Sequence, residues 1–236
     1  MDRVTRKELK TDHIGITLQH GAEAVAEQRK QLYLYGGIGL AVLLIALGIA
    51  AYLRNQHSVR QEALTEAMGL ENAAVGQTSP NEYIKVFATQ AEKDQAVNKA
   101  FTDIATKYSG TDEGYVAEYY LASKAADKGD MAQAEKRFKL VADNGNKNYS
   151  SLAKLSLAQI YAGEGKTADA ESLIRSVIDH PTAFVSKDEA TIALAHVLAP
   201  TKPQEARKLL EPLRANQRSA VSRAAINALS DINGDK

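Results

Sequence analysis

The sequence predicts an all-α protein in which one long apolar helix precedes antiparallel helix pairs stacked in series. Three observations predict it. The 22 residues from Leu32 to Leu53 carry no charge. Beyond them Ala, Leu, Glu, Gln and Lys are frequent, and no alternating β-branched run exceeds a few residues. Alanine then returns every thirty-six residues, at Ala134, Ala170 and Ala206.

The chain opens with a basic tail, residues 1–31, holding Arg3, Arg6, Lys7, Lys10, Arg29 and Lys30. Leu18, Ala22, Val25 and Tyr33 keep a loose helical spacing, so a helix entering from about Thr17 competes with a disordered tail. Removing the tail's six basic and five acidic residues from totals of 29 each leaves the rest nearly neutral. A balanced chain of 236 residues without a basic cluster argues against a nucleic-acid partner. The absence of Cys removes disulfides, thiol nucleophiles and Cys-type zinc sites.

Residues 32–53 come next. As a helix they would span roughly 33 Å at about 1.5 Å per residue, against a hydrocarbon core of about 30 Å. Tyr33, Tyr35 and Tyr52 lie near the two ends, where amphipathic rings favour the headgroup level, and Arg29, Lys30 and Arg54 bracket the run. These six residues are the expected membrane-interface anchors. A buried core helix is one competing reading, and a cleaved signal peptide is another, since Gly48 and Ala50 have small-x-small spacing. The length of the preceding tail favours an uncleaved anchor, and its basic charge places the N-terminus inside. Gly37 and Ala41 form a small-xxx-small pair that another helix could approach.

Residues 54–236 read as helices throughout, near 58–75, 81–107 with a break near Glu92, 113–127, 131–143, 149–162, 167–179, 187–198, 203–214 and 217–230. Ser79-Pro80-Asn81-Glu82 combines a capping serine, proline at the first helical position and glutamate at the third. Ser186 to Glu189 repeats the Ser-x-x-Glu box, and Asp130 to Gln133 is a variant of it. Gly110, Gly129, Gly145, Gly163 and Gly165 fall where helix stops belong.

Four residues after each marked alanine stand Phe138, Ile174 and Leu210, and three further on Val141, Val177 and Leu213. That spacing is one face of a helix. Upstream lie Leu121-Ala122, Leu157-Ala158 and Leu194-Ala195. Each unit is therefore a helix pair touching through alanines, and only stacking on a neighbour buries its second face. The spacings match the tetratricopeptide pattern of an α-solenoid, with repeats at about 113–145, 149–181 and 186–216. The third departs from it, with Pro200 to Pro203 in place of a glycine turn, as a capping unit would.

The whole chain resembles the YfgM-like ancillary subunits of the SecYEG translocon. The residues carrying the likeness are AAYLRNQHSVRQEAL after the apolar run, AFTDIATKYSGTDEGYVAEYYLASKAADKGDMAQAEKRF, and SLAKLSLAQIYAGEGKTADAESLI. The resemblance implies a single-pass protein of the bacterial inner membrane, with a cytoplasmic N-terminus and a tetratricopeptide-like periplasmic domain. It also implies protein partners: the translocation channel, a periplasmic chaperone or an unfolded client. A tetratricopeptide scaffold for another envelope assembly, such as a pilus, division or outer-membrane biogenesis complex, is the alternative.

No catalytic, cofactor or metal constellation stands out, so neither an enzyme nor a small-molecule substrate is expected. The five histidines form no His-x-x-x-His or Glu-x-x-His pair, and there is no phosphate loop or nucleophile elbow. Asp143 to Asn146 fails the EF-hand pattern and reads as a helix-ending turn. What remains is a surface. First helices of tetratricopeptide pairs line a concave side, where Tyr119 and Ser123, Leu155 and Gln159, and Ile192 and His196 would project. These residues form a candidate groove for a partner or client segment, although Tyr119, Leu155 and Ile192, each taken alone, also read as core. No Asn, Lys or Arg stands among them, which argues against a carboxylate clamp.

Overall fold

The computed structural model describes residues 3–76 and 85–234, with side chains from Tyr33 onward except that of Asn233. Helix α1 runs from Arg3 to Glu71 without interruption. The chain divides into two compact units, Met1–Ser58 and Val59–Lys236.

In the first unit every side chain from Tyr33 to Leu53 is exposed. This part of α1 is long and apolar enough to cross a membrane, and none of its apolar window is buried in protein. The core-helix reading therefore has no support. Tyr33, Tyr35 and Tyr52 lie on the exposed helix, whereas the side chains of Arg29 and Lys30 fall outside those described.

The second unit starts with the last turns of α1, which pack with α2 (Gln90–Lys107) around Leu64, Ala67, Leu70, Val97, Phe101 and Ile104. Three helix pairs follow: α3 (Asp112–Asp127) with α4 (Met131–Asn144), α5 (Lys147–Gly163) with α6 (Thr167–Asp179), and α7 (Lys187–Leu198) with α8 (Pro203–Leu210). Helix α9 (Ser219–Asn233) then covers α7 and α8.

The alanines behave as their spacing predicts. Ala134, Ala170 and Ala206 are each 0 % exposed, as are Ala122, Ala158 and Ala195 on the facing helices. A methyl group at each meeting point lets two backbones approach, and Phe138, Ile174 and Leu210 fill the space one turn on.

The turns inside the first two pairs are the same device. At the end of α3, Gly129 N–H donates to Ala126 O and Asp130 N–H to Ala125 O. At the end of α5, Gly165 N–H donates to Ala162 O and Lys166 N–H to Tyr161 O. Both are Schellman closures, and both glycines have left-handed backbone, φ 78° and 77°. Gly145 instead caps α4 with extended backbone, and Gly163 is the last residue of α5 rather than a stop. Ser186 and Asp130 cap α7 and α4 through the N–H groups of Glu189 and Gln133. Asn146 caps α5, accepting from Asn148 and Tyr149, so the Asp143 to Asn146 stretch is a helix junction.

Three expected helices fall short of a predicted end. Helix α1 ends at Glu71 instead of Val75, and Ala74–Val75 forms a strand β1 paired in parallel with β2, Val86–Phe87. Helix α2 starts at Gln90 rather than residue 81, because Thr89 is its N-cap: Thr89 Oγ1 accepts from Glu92 N–H at 3.2 Å. The Ser79 to Glu82 box lies outside the described residues. Helix α8 stops at Leu210 and continues as a 3-10 turn, Glu211–Ala215, because Pro212 has no N–H to extend the α-helical ladder. Leu213 still reaches the core from that turn.

One buried charge ties α1 to α3. Glu113 is 1 % exposed. Arg60 Nε donates to its Oε2 at 3.0 Å and Gln61 Nε2 to its Oε1 at 2.9 Å. Burial alone raises the Glu113 pKa, but hydrogen bonds from the backbone, Gln61 and Arg60, with the Arg60 charge, outweigh it and hold the carboxyl below its ordinary value.

Two predictions follow from this packing. Ala134→Leu drives three extra carbons into a closed helix contact and lowers unfolding stability by about 1–3 kcal/mol in urea titration. Ala132→Leu, on the exposed side of the same helix, stays within about 0.5 kcal/mol of the parent. Equal losses for the two would refute the close contact. Because the folded Glu113 pKa is depressed, its contribution is complete above the ordinary carboxylate value of about 4.3 and vanishes as pH falls through the folded value. Glu113→Gln should therefore cost about 1.5–3 kcal/mol at neutral pH, and the difference between the two urea midpoints should close in acid. A pH-independent difference would refute the charge assignment.

Candidate interaction grooves

Five of the six groove residues anticipated from spacing line open depressions in the second unit. The first depression, about 560 Å³, lies between α3 and α5 over α4. Ser123 and Ala126 form one wall, Ser156, Gln159 and Ile160 the other, and Phe138 and Met131 lie below. The second, about 430 Å³, lies between α5 and α7 over α6, with Leu155, Gln159 and Ala162 facing Ile192, Ala193, His196 and Val197 above Ile174. Gln159 borders both, so α5 is the ridge between them.

The two grooves are copies of one design. Ser123, Ala126 and Phe138 become Gln159, Ala162 and Ile174 thirty-six residues later. Ser156, Gln159 and Ile160 become Ala193, His196 and Val197 after thirty-seven, the extra residue falling in the loop before α7. The apolar floor is conferred by the residue that follows each buried alanine by one turn. The helix pairing that builds the core thus also builds the floor.

Tyr119 does not line either depression. Its ring lies 5.5 Å from Phe138 and 5.4 Å from Tyr149, both edge-on. Phe101 stacks on Tyr120 at 4.8 Å, Tyr120 meets Tyr119 at 6.1 Å, and Tyr149 meets Phe184 at 5.5 Å. This relay joins the first pair's core to the loop before α7. Burial, with the neighbouring Tyr120 and Tyr119 hydroxyls, pushes the Tyr149 phenol up to about 12. Tyr119 therefore packs, partly buried, against the core of the first pair.

Charge enters the first groove at one end. Asp127, the last residue of α3, and Glu164, the cap of α5, both line it. Spacing arguments passed over these two, because they lie beyond the apolar periodicity at helix ends. The second groove carries Glu189 and the His196 imidazole, and neither groove is lined by Lys or Arg. Among the described residues no three His, Asp or Glu side chains gather where a metal ion could be held. The arrangement offers apolar troughs with acidic residues at their edges, wide enough to receive a side chain.

A family model described as a tetratricopeptide repeat-like domain matches residues 33–190. Among solved structures, two crystal structures of Podosopora anserina putative kinesin light chain nearly identical TPR-like repeats, one bearing a point substitution, share the fold. Each is 17% identical, with TM-scores of 0.51 and 0.50, over 62% of this chain and 82% of theirs. At that identity the likeness concerns architecture alone. No curated protein matches the chain. The family match takes in most of the apolar stretch of α1 and the helix pairs through the start of α7, and on that extent the chain belongs to the tetratricopeptide repeat-like domain family.

Proposed function

We propose that this protein is a membrane-anchored protein–protein interaction module of the bacterial envelope. In this reading it is an ancillary subunit at the protein translocation channel that helps pass translocated chains to periplasmic chaperones. The observation that carries the proposal is the wholly exposed apolar stretch from Tyr33 to Leu53 in a chain whose other helices form a tetratricopeptide-like stack. An unburied surface of that length has a stable environment in lipid, and a repeat stack of this family is a scaffold for binding other chains.

The anchor has a mechanical use in this scheme. Holding the repeats beside one exit site turns a weak encounter into a local one at high effective concentration. Brief contacts then suffice, and release to the next partner stays fast. The basic tail, with Arg3, Arg6, Lys7, Lys10, Arg29 and Lys30, remains in the cytoplasm, and the repeats face the periplasm. No catalytic role is assigned. The likeness to the YfgM-like subunits, in the residues that follow the apolar run and in the first two repeats, supports the translocon as the site of action.

Orientation and neighbourhood are both measurable. Protease added to spheroplasts should digest the repeats while leaving the tail intact, and a photo-crosslinking residue in place of Leu43 should give adducts with channel subunits in intact membranes. Repeats protected in spheroplasts would invert the topology. Accessible repeats with adducts only to a pilus, division or outer-membrane biogenesis complex would move the scaffold to another machine.

A further inference from the structure

Asp127 and Glu164 sit where the fold disfavours them. Each stands at the C-terminal end of a helix, where the partial negative charge of the last carbonyls repels a carboxylate and favours a cation. Neither position is required for packing. The equivalent of Asp127 one repeat on is Gly163, and that of Glu164 is Thr201. Both carboxylates are exposed. Asp127 has no ion-pair partner among the described residues, while Glu164 meets only the exposed Lys166, at 2.7 Å. Two helix ends and two carboxylates therefore converge at the mouth of an apolar trough of about 560 Å³ floored by Phe138 and Met131.

We infer that this first groove selects peptide segments in which a bulky apolar side chain adjoins a lysine or arginine. The inference rests on the interaction reading above and names the chemistry of its partner. The apolar side chain enters between Ser123 and Ile160 over Phe138, and both apolar surfaces leave water as it does so. The cation lies against Asp127 and the ends of α3 and α5, where it relieves the repulsion those helices carry in isolation. Glutamate or aspartate at that place in the peptide adds a third like charge instead. Lys166 is the internal competitor, exposed and tied to one Glu164 oxygen, and an incoming guanidinium with its fixed fork displaces a point charge. The second groove has the same kind of floor but one carboxylate, Glu189, and no acidic helix C-terminus, so its preference for a cation is weaker.

The test uses the full chain in lipid nanodiscs and a short fluorescein-labelled peptide bearing Leu-Arg pairs, followed by fluorescence anisotropy. Matched peptides carry Leu-Glu or Ser-Arg pairs. The Leu-Arg peptide should bind about tenfold more tightly than the Leu-Glu peptide, the combined effect of two partly exposed charges and two helix ends. The advantage should shrink as salt rises. The Ser-Arg peptide should also bind more weakly. Asp127→Lys with Glu164→Lys should reverse the order of the two leucine peptides while leaving the thermal midpoint unchanged or higher, because cations suit those helix ends. Equal binding of Leu-Arg and Leu-Glu peptides, or a doubly substituted chain with unaltered preference, overturns the inference and leaves the interaction reading standing. Failure of every peptide to bind, together with no photo-adduct from a crosslinker in place of Gln159 in intact cells, overturns both.

Discussion

The close approach of two antiparallel helices at a buried alanine is the contact on which the repeat domain depends. A helix pair joined by one tight turn can bury only one face of each member, so its stability depends on how near the two backbones come. At Ala134 against α3, and at Ala170 against α5, nothing larger than a methyl group intervenes. The next residue along that face must then be large, and Phe138 and Ile174 are. Because the loop is shorter than a helical turn, each first helix must end abruptly, which the left-handed glycines at 129 and 165 accomplish. Core spacing, turn chemistry and groove floor are consequences of one distance.

That coupling explains which parts of the fold were legible. A period of thirty-six residues is visible because the alanine and its bulky successor must recur together, and the helix pairs from α3 to α8 follow from it. Caps at Ser186 and Asp130 were readable because a side-chain acceptor three residues before a free N–H is a local pattern. The segment between α1 and α2 was not. Ala74–Val75 and Val86–Phe87 are each two residues long, and what makes them strands is pairing with each other from either side of residues 76–85, which no local periodicity records. At the end of α8 the apolar period runs on to Leu213, but Pro212 trades the last α turn for a 3-10 turn without removing Leu213 from the core.

The site was legible in the same uneven way. Ser123, Leu155, Gln159, Ile192 and His196 could be placed on the groove walls because a helix's free face lies at fixed angles from its buried one. Tyr119 obeys the same geometry yet turns toward Phe138 and Tyr149, since an aromatic ring gains more from edge-on contact than from facing water. Asp127 and Glu164 were missed because helix ends interrupt the period that made the rest visible. Glu113 was missed for a different reason: its partners Arg60 and Gln61 are more than fifty residues away, and only the folded chain brings them together.

A repeat architecture separates what packing demands from what function adds. Positions that must be small or bulky recur in every unit, so anything that departs from the repeat without harming the core is free of that demand. Gln159 and His196 occupy one structural position in successive units, as do Asp127 and Gly163, and none of these four is buried. The core tolerates any of them, and the difference falls wholly on the grooves. The two troughs share a floor position and wall positions but differ in charge, so under the proposed binding role each would read its own part of a partner. Under that role specificity would reside in these breaks of symmetry, and the symmetry itself supplies the frame that keeps them in register.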